Sequence, residues 1–348
     1  MIFLQLFIYS KENKLICAVR CDNGWQKEVI ESGFRYYSFS LVFDNRNTAH
    51  ISYYRWDTTL NKLYLCYSHR DSSGWSIDVV DSNIYWRHWY ALYTSIDIDT
   101  FGKPGIAYIT WNLNLTDSIC YIKYAHYNGA NWDTSVVEYD SMYVHIQSMP
   151  DWNPSLKFNK KNTPMIAFNQ LYHYQYEYDT VKIGYYDDTL DRWIVSPAIY
   201  WPPMGQPSLS LELDNQDFPH IALCRNGTLA HAWWDGSEWQ IESVNAISIG
   251  DYGAIIDLEL DSLNNPHIAF QGDMLTPFPD YCYYDGTWHS YIPFDDSLLL
   301  HPRGGISIVL DNTSSPHIAY ACGYYNGNTD MMAITSNMPK EHLGELVK

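Results

Sequence analysis

The sequence predicts an all-β fold built from repeated units, and three observations support this prediction. The first is a short sequence pattern that recurs along the chain. The second is composition: of 348 residues, 16% are aromatic, with 31 Tyr and 14 Trp, whereas only 18% are charged, a balance typical of many short strands. The third is that short alternating apolar runs are separated by Asp, Asn, Gly, Ser and Pro, the residues that favour turns.

The repeat is clearest in three copies, which read SLSLELDNQDFPHIAL from Ser208, IDLELDSLNNPHIAF from Ile256 and SIVLDNTSSPHIAY from Ser307. Degenerate copies begin at Ser40, Ser95 and Ser155. The residue that ends the first strand of each copy is Asp44, Asp99, Asn159, Asp214, Asp261 or Asp311, with spacings of 55, 60, 55, 47 and 50. A period in this range is typical of the blades of a β-propeller.

Each copy contains the signals for four strands, A to D. Strand A ends at the Asp or Asn, whose side chain we expect to close the A–B turn by accepting backbone N–H groups two residues on. Strand B is His-Ile-Ala-Tyr or similar, and strand C leads to a tight turn such as Asp71 to Trp75. A glycine-free version of this C–D turn runs from Asp188 to Trp193. We expect the Trp that opens strand D to cover the apolar gap between neighbouring blades.

The number of strands predicts one propeller over residues 1–336, with four-stranded antiparallel blades. We find six A, seven B, seven C and six D strands, which favours seven blades, the first and last incomplete. Six blades, closed by pairing Ile306–Leu310 with the N-terminal strands, is the alternative. Residues 337–348 are polar and are interpreted as a frayed tail or a linker. The copies lie near 1–33, 34–90, 91–150, 151–203, 204–251, 252–301 and 302–336.

The C–D turn resembles a degenerate Asp-box of the BNR, or sialidase-type, propellers. The whole unit, S-L-x-L-D-x4-P-H-I-A-Y followed by Y-A-x-x-D-G-x-W, is similar to tandem repeats of secreted bacterial and archaeal proteins of unassigned function. The resemblance spans nearly the entire chain and implies a propeller. It does not carry over sialidase activity, because the N-terminal Arg-Ile-Pro element of that family is absent and no arginine triad can be placed.

Charge and composition exclude several kinds of function. With 21 Lys and Arg against 40 Asp and Glu, the net charge is −19, which argues against nucleic acid as a partner. No apolar stretch is long enough for a membrane-spanning helix, and no basic segment precedes the apolar run at Met1–Ser10, which is interpreted as a strand. The seven cysteines have no metal-site spacing, and Cys17, Cys66, Cys120 and Cys282 are interpreted as small buried apolar residues. We expect no cofactor.

The two ends of the predicted blades differ in sequence. The A–B and C–D turns are short and repetitive, whereas the B–C and D–A loops are long, irregular and rich in aromatic residues beside Arg, His and Asp. This is the pattern of a recognition surface on a rigid frame. The ligand-binding candidates at this end are Arg35, Tyr36, Trp86, Arg87, His88, Trp89, His145, Trp152, His173, Trp201, Tyr252, His301 and Arg303.

The histidines that recur at the start of strand B are His50, His220, His267 and His317. A closed propeller would set them around one axis, which raises the hypothesis of a metal ring. Gly105 and Met165 break the series in two copies, so we interpret these histidines as packing and turn features. We expect no metal, and we expect His126 and His231 on the C strands to be buried as well.

The sequence therefore favours a non-catalytic, extracellular or cell-surface propeller that binds a glycan, a peptide or a partner protein through its B–C/D–A end. A polysaccharide lyase or glycosidase at the same end is the first alternative, with Arg to neutralise a uronate and His or Tyr as base and acid. Its candidate carboxylates are Asp57, Asp151, Asp251 and Asp273. A structural module of a surface assembly is the second alternative.

Overall fold

A computed structural model describes most of the chain. The described residues are 6–21, 24–84, 92–113, 117–143, 153–170, 179–201, 208–225, 228–244, 255–271, 279–291, 301–323, 330–336 and 344–347. The chain divides into two compact units, the first made of residues 1–171 and 180–198 and the second of residues 172–179 and 199–348. In the described part of the chain every regular element is a β-strand. A helix with the length and apolar character needed to span a membrane is not found among these residues.

The first four sheets contain fifteen strands. The first sheet has β1 (Leu6–Lys11), β2 (Lys14–Cys21) and β3 (Gly24–Ser32). The second has β4 (Arg35–Phe43), β5 (Ala49–Asp57), β6 (Lys62–Asp71) and β7 (Gly74–Ile84). The third has β8 (Thr94–Ile98), β9 (Pro104–Leu113), β10 (Asp117–Tyr127) and β11 (Trp132–Tyr143). The fourth has β12 (Ser155–Phe158), β13 (Pro164–Gln170), β14 (Asp179–Asp187) and β15 (Arg192–Trp201).

The last three sheets contain twelve strands. The fifth sheet has β16 (Leu209–Leu213), β17 (Pro219–Arg225), β18 (Thr228–Trp234) and β19 (Trp239–Ser243). The sixth has β20 (Ile256–Leu260), β21 (Pro266–Gln271), β22 (Pro279–Tyr284) and β23 (Trp288–Tyr291). The seventh has β24 (His301–Leu310), β25 (Pro316–Gly323), β26 (Asp330–Ser336) and β27 (Gly344–Val347).

Strand order within each sheet follows the chain, and the recorded pairings are antiparallel. Seven sheets confirm the predicted number of units, and the first sheet has three described strands, as its incomplete copy predicts. The seventh sheet differs from expectation. Residues 344–347, which we assigned to a polar tail, pair with β26 from Thr335↔Gly344 to Met332↔Val347 and so supply a fourth strand.

Strand B is an inner strand of the second to seventh sheets and is buried on both faces. Its Ile is 0% exposed at Ile51, Ile106, Ile166, Ile221, Ile268 and Ile318. The next two residues, which point to opposite faces, are also fully buried in the third sheet at Ala107 and Tyr108. A strand that is buried on both faces requires apolar packing above and below it, so the core lies on both sides of each sheet. Cys17, Cys66, Cys120 and Cys282 belong to this core, as predicted.

Polar side chains on strand A connect successive sheets within each unit. In the first unit the Ser40 hydroxyl accepts the Ile96 N–H at 3.1 Å, and the Ser95 hydroxyl accepts the Leu156 N–H at 3.0 Å. In the second unit Ser210 accepts the Leu258 N–H at 3.2 Å in the same way. The A strands have an unpaired edge, and these side chains satisfy N–H groups on it that would otherwise be costly to bury.

The predicted A–B turn is confirmed in six copies. In each, one side-chain oxygen of the Asp or Asn accepts the N–H groups two and four residues on; at Asp261 the donors are Leu263 and Asn265, both at 2.8 Å. The third residue after the Asp or Asn has a positive φ, as at Asn264 with 67°. The other five turns are closed by Asp44, Asp99, Asn159, Asp214 and Asp311.

We predict that Asp261→Ala lowers the free energy of unfolding by about 1–2 kcal/mol, because two N–H groups of the turn lose their acceptor. Asp261→Asn is the matched control, since Asn159 closes the equivalent turn of the fourth sheet with the same two bonds. Urea denaturation measures both variants. Equal losses for Ala and Asn would contradict the assignment of the stabilising role to the shared oxygen.

The D strands combine a bulge with a tryptophan contact to the preceding sheet. One extra residue is inserted into the first three D strands at Ile30, Val80 and Val137, and each of these side chains is buried. The Trp75 indole N–H donates to Glu28 of the first sheet at 3.2 Å, and the Trp193 N–H donates to Ser135 of the third sheet at 2.9 Å. The predicted covering of the gap by Trp is therefore confirmed here, and the bulge twists an otherwise unpaired edge strand.

The C–D turns are capped by an acidic or amide side chain. Asp71 accepts the Ser73 N–H at 2.7 Å, and Gly74 follows with a φ of 125°, which Gly adopts at little cost. In the glycine-free turn the capping residue is Asp187, one position before the predicted Asp188, and it accepts the N–H groups of Thr189 and Leu190.

Candidate functional site

Most of the predicted ligand-binding residues fall outside the described part of the chain. Those outside are Trp86, Arg87, His88, Trp89, His145, Trp152, His173 and Tyr252. Three others, Trp201, His301 and Arg303, lie in strands β15 and β24, where only the backbone is described. Arg35 and Tyr36 are described with their side chains, and the site is built from them.

Arg35 and Tyr36 open strand β4 and do not lie in a loop. Arg35 pairs with Trp56 and Tyr36 with Arg55, so the strands extend further into the predicted B–C/D–A end than the sequence indicates. The Arg35 side chain is exposed, and its guanidinium carbon lies 5.4 Å from the centre of the Trp56 ring. Tyr36 is only 5% exposed and its ring packs 5.9 Å from that of Tyr53, so it belongs to the core below this end.

A partly buried ion pair is formed by Arg55, the neighbour of Trp56 on β5. Arg55 Nη1 donates to Glu31 Oε1, and the Tyr53 hydroxyl donates to Glu31 Oε2 at 3.0 Å. Burial raises the pKa of Tyr53 far above its usual value, so this phenol remains a donor. Glu31 ends the D strand of the first sheet, whereas Arg55 and Tyr53 lie on strand B of the second, so the pair joins the two sheets.

Aromatic rings surround the cations at this end. The Arg55 guanidinium carbon lies 4.6 Å from the centre of the Phe34 ring and 5.1 Å from that of Tyr64, and Lys62 Nζ lies 5.3 Å from the Tyr64 ring. At these distances a cation is attracted to the face of the aromatic ring below it. We call the resulting surface the arginine edge, defined as Phe34, Arg35, Arg55, Trp56, Lys62 and Tyr64.

The next sheets repeat the ion pair with a different base. Asp81 takes the place of Glu31 and accepts the Tyr108 hydroxyl at 2.7 Å and Lys123 Nζ at 2.9 Å. Burial alone would raise the pKa of Asp81, but hydrogen bonds from the Asn83 N–H, Tyr108 and Lys123 lower it. Between the third and fourth sheets Lys182 Nζ donates to Glu138 at 3.0 Å.

We predict that Lys123→Met lowers the free energy of unfolding by about 3 kcal/mol, because it leaves the buried Asp81 carboxylate without its cation. Lys182→Met is the control and should cost about 1 kcal/mol. The carboxylate of Glu138 is 24% exposed, against 7% for Asp81, so water can solvate Glu138 in the variant. Urea denaturation at pH 7 compares them. A loss at Lys123 no larger than that at Lys182 would refute this account.

The recurring histidines contact the turn that precedes them. The distance from His Nε2 to Asp Oδ2 is 3.6 Å for His50, 3.8 Å for His220, 4.0 Å for His267 and 3.4 Å for His317, each with the aspartate of its own A–B turn. This supports the packing-and-turn interpretation. Among the described residues no three His, Cys, Asp or Glu side chains are grouped so that they could hold a metal.

The fifth sheet differs in the partner of its histidine. His50 and His267 contact the hydroxyls of Tyr67 and Tyr281, whereas His220 Nδ1 lies 3.0 Å from Nε2 of His231. His231 Nδ1 in turn lies 3.2 Å from Glu242 Oε1. His231 is buried as predicted, whereas the side chain of His126, which we also expected to be buried, is 31% exposed.

The groups that face this histidine pair are Asp214, Glu242, Trp233 and Trp288. Burial, and next the proximity of His231, lower the pKa of His220 from 6.5 to about 4, and burial lowers that of His231. Between pH 6.5 and about pH 4 the unfolded chain therefore binds more protons than the folded chain does. The stability contributed by the neutral pair is complete above pH 6.5 and declines as the pH falls towards 4.

We predict that His231→Tyr reduces this acid sensitivity, because it installs the residue type that Tyr67 and Tyr281 supply in the second and sixth sheets. The measurement is the urea midpoint at about pH 7 and about pH 5. His289→Gln, at a histidine that is 38% exposed, should keep the original pH dependence. An unchanged decline in the His231 variant would show that the pair is not its source.

Comparison with known proteins identifies the architecture. A mutant of the Aleuria aurantia lectin in complex with Fucα1-6GlcNAc is 10% identical, with 89% of this chain and 94% of that chain covered and a TM-score of 0.56. The α-L-arabinofuranosidase Arb93A of Fusarium graminearum is 9% identical, with 87% and 94% covered and a TM-score of 0.55. An α-L-arabinanase of Penicillium chrysogenum complexed with arabinobiose is 10% identical, with 87% and 93% covered and a TM-score of 0.55. The chain is a β-propeller.

At these identities the likeness shows the fold alone, and the seven sheets are the blades of the propeller. No family model matches the sequence, and no curated protein matches it. The same propeller fold therefore occurs in a lectin and in enzymes that carry arabinose-related names. The fold alone does not distinguish binding from catalysis, so the function has to be argued from the residues of the site.

One described carboxyl group has the environment of a general acid. Asp280 lies near the start of β22 in the sixth blade and is 5% exposed. Burial raises its pKa from 3.8 to about 7. It pairs with Phe270, as Lys123 pairs with Tyr108 and Lys182 with Phe168, so an acid occupies the position that holds a base in the third and fourth blades.

Sequence reasoning missed several of these residues. The ligand-binding candidates did not include Glu31, Arg55, Lys62 and Tyr64, although these residues lie in or beside the predicted loops. Aligning strand C of the repeats would have revealed the column Cys66, Lys123, Lys182 and Asp280. Such a change from apolar to basic to acidic at a buried position marks where polar partners are placed between blades.

Proposed function

We propose that this propeller binds a glycan through the arginine edge and does not hydrolyse it. The observation that carries the proposal is the exposed Arg35 guanidinium stacked on the half-buried Trp56, beside the Tyr64 ring and the exposed Lys62. Sugars present C–H faces that pack on rings and hydroxyls that accept hydrogen bonds from cations. A glycan polymer as ligand implies action outside the cell or at its surface.

The ion pair of Arg55 and Glu31 makes this surface rigid. Arg55 is held by Glu31 and lies between Phe34 and Tyr64, and the edge continues the ladder of β4 and β5 without a flexible loop. A binding surface loses less entropy on association when its side chains are already ordered. The lectin with the same fold supports a glycan ligand, and the C–D turns with their capping aspartates support the Asp-box-like repeat expected from the sequence.

We predict that Trp56→Ala weakens glycan binding about tenfold or more, as for a central aromatic contact. A glycan array followed by titration calorimetry measures the loss. Phe101→Ala is the matched control, because Phe101 is a 78% exposed ring on an A–B turn at the opposite end of its blade and should not contribute. Circular dichroism confirms that both variants fold. Unchanged affinity after loss of Trp56 would refute the proposed site.

The glycosidase alternative rests on Asp280 and is tested with the same protein. A buried carboxyl group with a pKa of about 7 keeps its proton in a large fraction of molecules near neutral pH and suits proton donation to a leaving group. If the chain releases reducing sugar from the bound glycan, and Asp280→Asn abolishes this release while binding persists, the protein is an enzyme. We expect binding without release.

A further inference from the structure

The exposed cations at the arginine edge are arranged differently from three cations elsewhere in the described part of the chain. Away from this edge, Arg70, Lys123 and Lys182 are paired with Glu28, Asp81 and Glu138. At the edge, Arg35 and Lys62 are exposed, and among the described residues no carboxylate lies within salt-bridge distance of either. They contact rings instead.

Two further lysines belong to the same surface. Lys11 and Lys14 flank the B–C turn of the first blade, and both are exposed. The Asn13 carbonyl of this turn accepts the Gly33 N–H at 2.8 Å, which attaches the turn to the segment that leads directly into Phe34 and Arg35. The first-blade turn and the arginine edge are therefore one continuous border.

The carboxylates on this border are fewer and mostly occupied. Glu31 is paired with Arg55, and Asp57 caps its own turn by accepting the N–H groups of Thr59 and Leu60 at 2.8 and 3.0 Å. Glu12 is the remaining acid of the lysine turn. Among the described residues of this border, five cations thus face three carboxylates, so this part of the border is basic on a chain whose net charge is −19.

From the unpaired cations and the rings beside them, we propose that the glycan bound at the arginine edge is an anionic polysaccharide, with Arg35, Lys62 and the lysines of the first-blade turn contacting its charged groups. This inference rests on the proposed function and adds the ligand class. The planar guanidinium of Arg35 suits a carboxylate or a sulfate, because it can donate two parallel hydrogen bonds. The negative surface elsewhere repels the polymer and directs it to this border.

A glycan fits this border better than an acidic peptide. Cations and rings alternate here, from Lys62 over Tyr64 to Arg55 over Phe34, so a ligand in contact with the charges also meets apolar ring surface. Sugar units have both a charged group and an apolar C–H face.

The test is affinity electrophoresis and calorimetry of the full chain with four polymers. Polygalacturonate carries carboxylates, dextran sulfate carries sulfates, and dextran and arabinan are neutral. We predict that one or both anionic polysaccharides bind at least about tenfold more tightly than the neutral ones, and that affinity falls as salt rises. Arg35→Gln should lower the anionic affinity about tenfold. Lys161→Gln is the control, since Lys161 is exposed on an A–B turn of the fourth blade.

The outcomes separate this inference from the proposed function. Equal binding of neutral and anionic polymers, lost in Trp56→Ala but not in Arg35→Gln, would overturn the anionic ligand and leave glycan binding intact. Absence of binding to all four polymers, with no hit on the glycan array, would remove both. Polyglutamate that binds as tightly as polygalacturonate, independently of Trp56, would also overturn the inference, because it would show attraction of any polyanion.

Discussion

Both faces of each blade are buried, and this constraint governs where polar groups can lie. Strand B is enclosed on its two sides, with Ile106, Ala107 and Tyr108 all at 0% exposure. A polar atom left unpaired in such a place costs about 1–3 kcal/mol. Several polar side chains between blades have partners on the neighbouring sheet, as Tyr108 has in Asp81 and Ser40 has in the Ile96 N–H. The partners in turn fix the order in which the blades of each unit pack.

The same constraint explains why the base of the ion pair changes between blades while the acid stays in place. The acid occupies equivalent D-strand positions at Glu31, Asp81 and Glu138. Arg55 reaches it from strand B, whereas Lys123 and Lys182 reach it from strand C. Only the charge has to be matched, and either strand can supply it. The choice of Arg55 has a consequence for the surface, because its guanidinium orders the rings that form the arginine edge.

The architecture could be predicted because turn chemistry repeats. Asp261 and its equivalents indicate the A–B turns in the sequence, and the Trp of strand D indicates where one blade packs against the next. The candidate site was predicted less well. Tyr36 is an aromatic residue beside Arg35 in sequence, yet alternation along β4 sends it into the core while Arg35 remains exposed. A loop and a strand end are both rich in Tyr and Trp, so composition did not show where β4 begins or β5 ends.

Residues near the chain end show a second reason why part of the structure could not be predicted from the sequence. Residues 344–347 are polar in context and carry little strand signal, but β26 has an unpaired edge that any extended segment can satisfy through its backbone. Backbone hydrogen bonds need no particular side chains, so the fourth strand of the seventh blade was not visible in the pattern. In the first blade, by contrast, the pattern indicated strands B, C and D, and three strands are described there.

Ligand binding and proton transfer require carboxylates in different roles. Among the described residues, the carboxylates beside the arginine edge have the role that suits ligand binding. A general acid must keep its proton near neutral pH, and a nucleophile must be free to attack. Glu31 is paired with Arg55 and accepts a hydrogen bond from the Tyr53 hydroxyl, and Asp57 accepts two N–H groups of its turn. Both are occupied in holding the frame. The groups at this edge that remain exposed are Arg35 and Lys62, which can attract and orient a ligand. These side chains support the proposed recognition of a glycan at the edge.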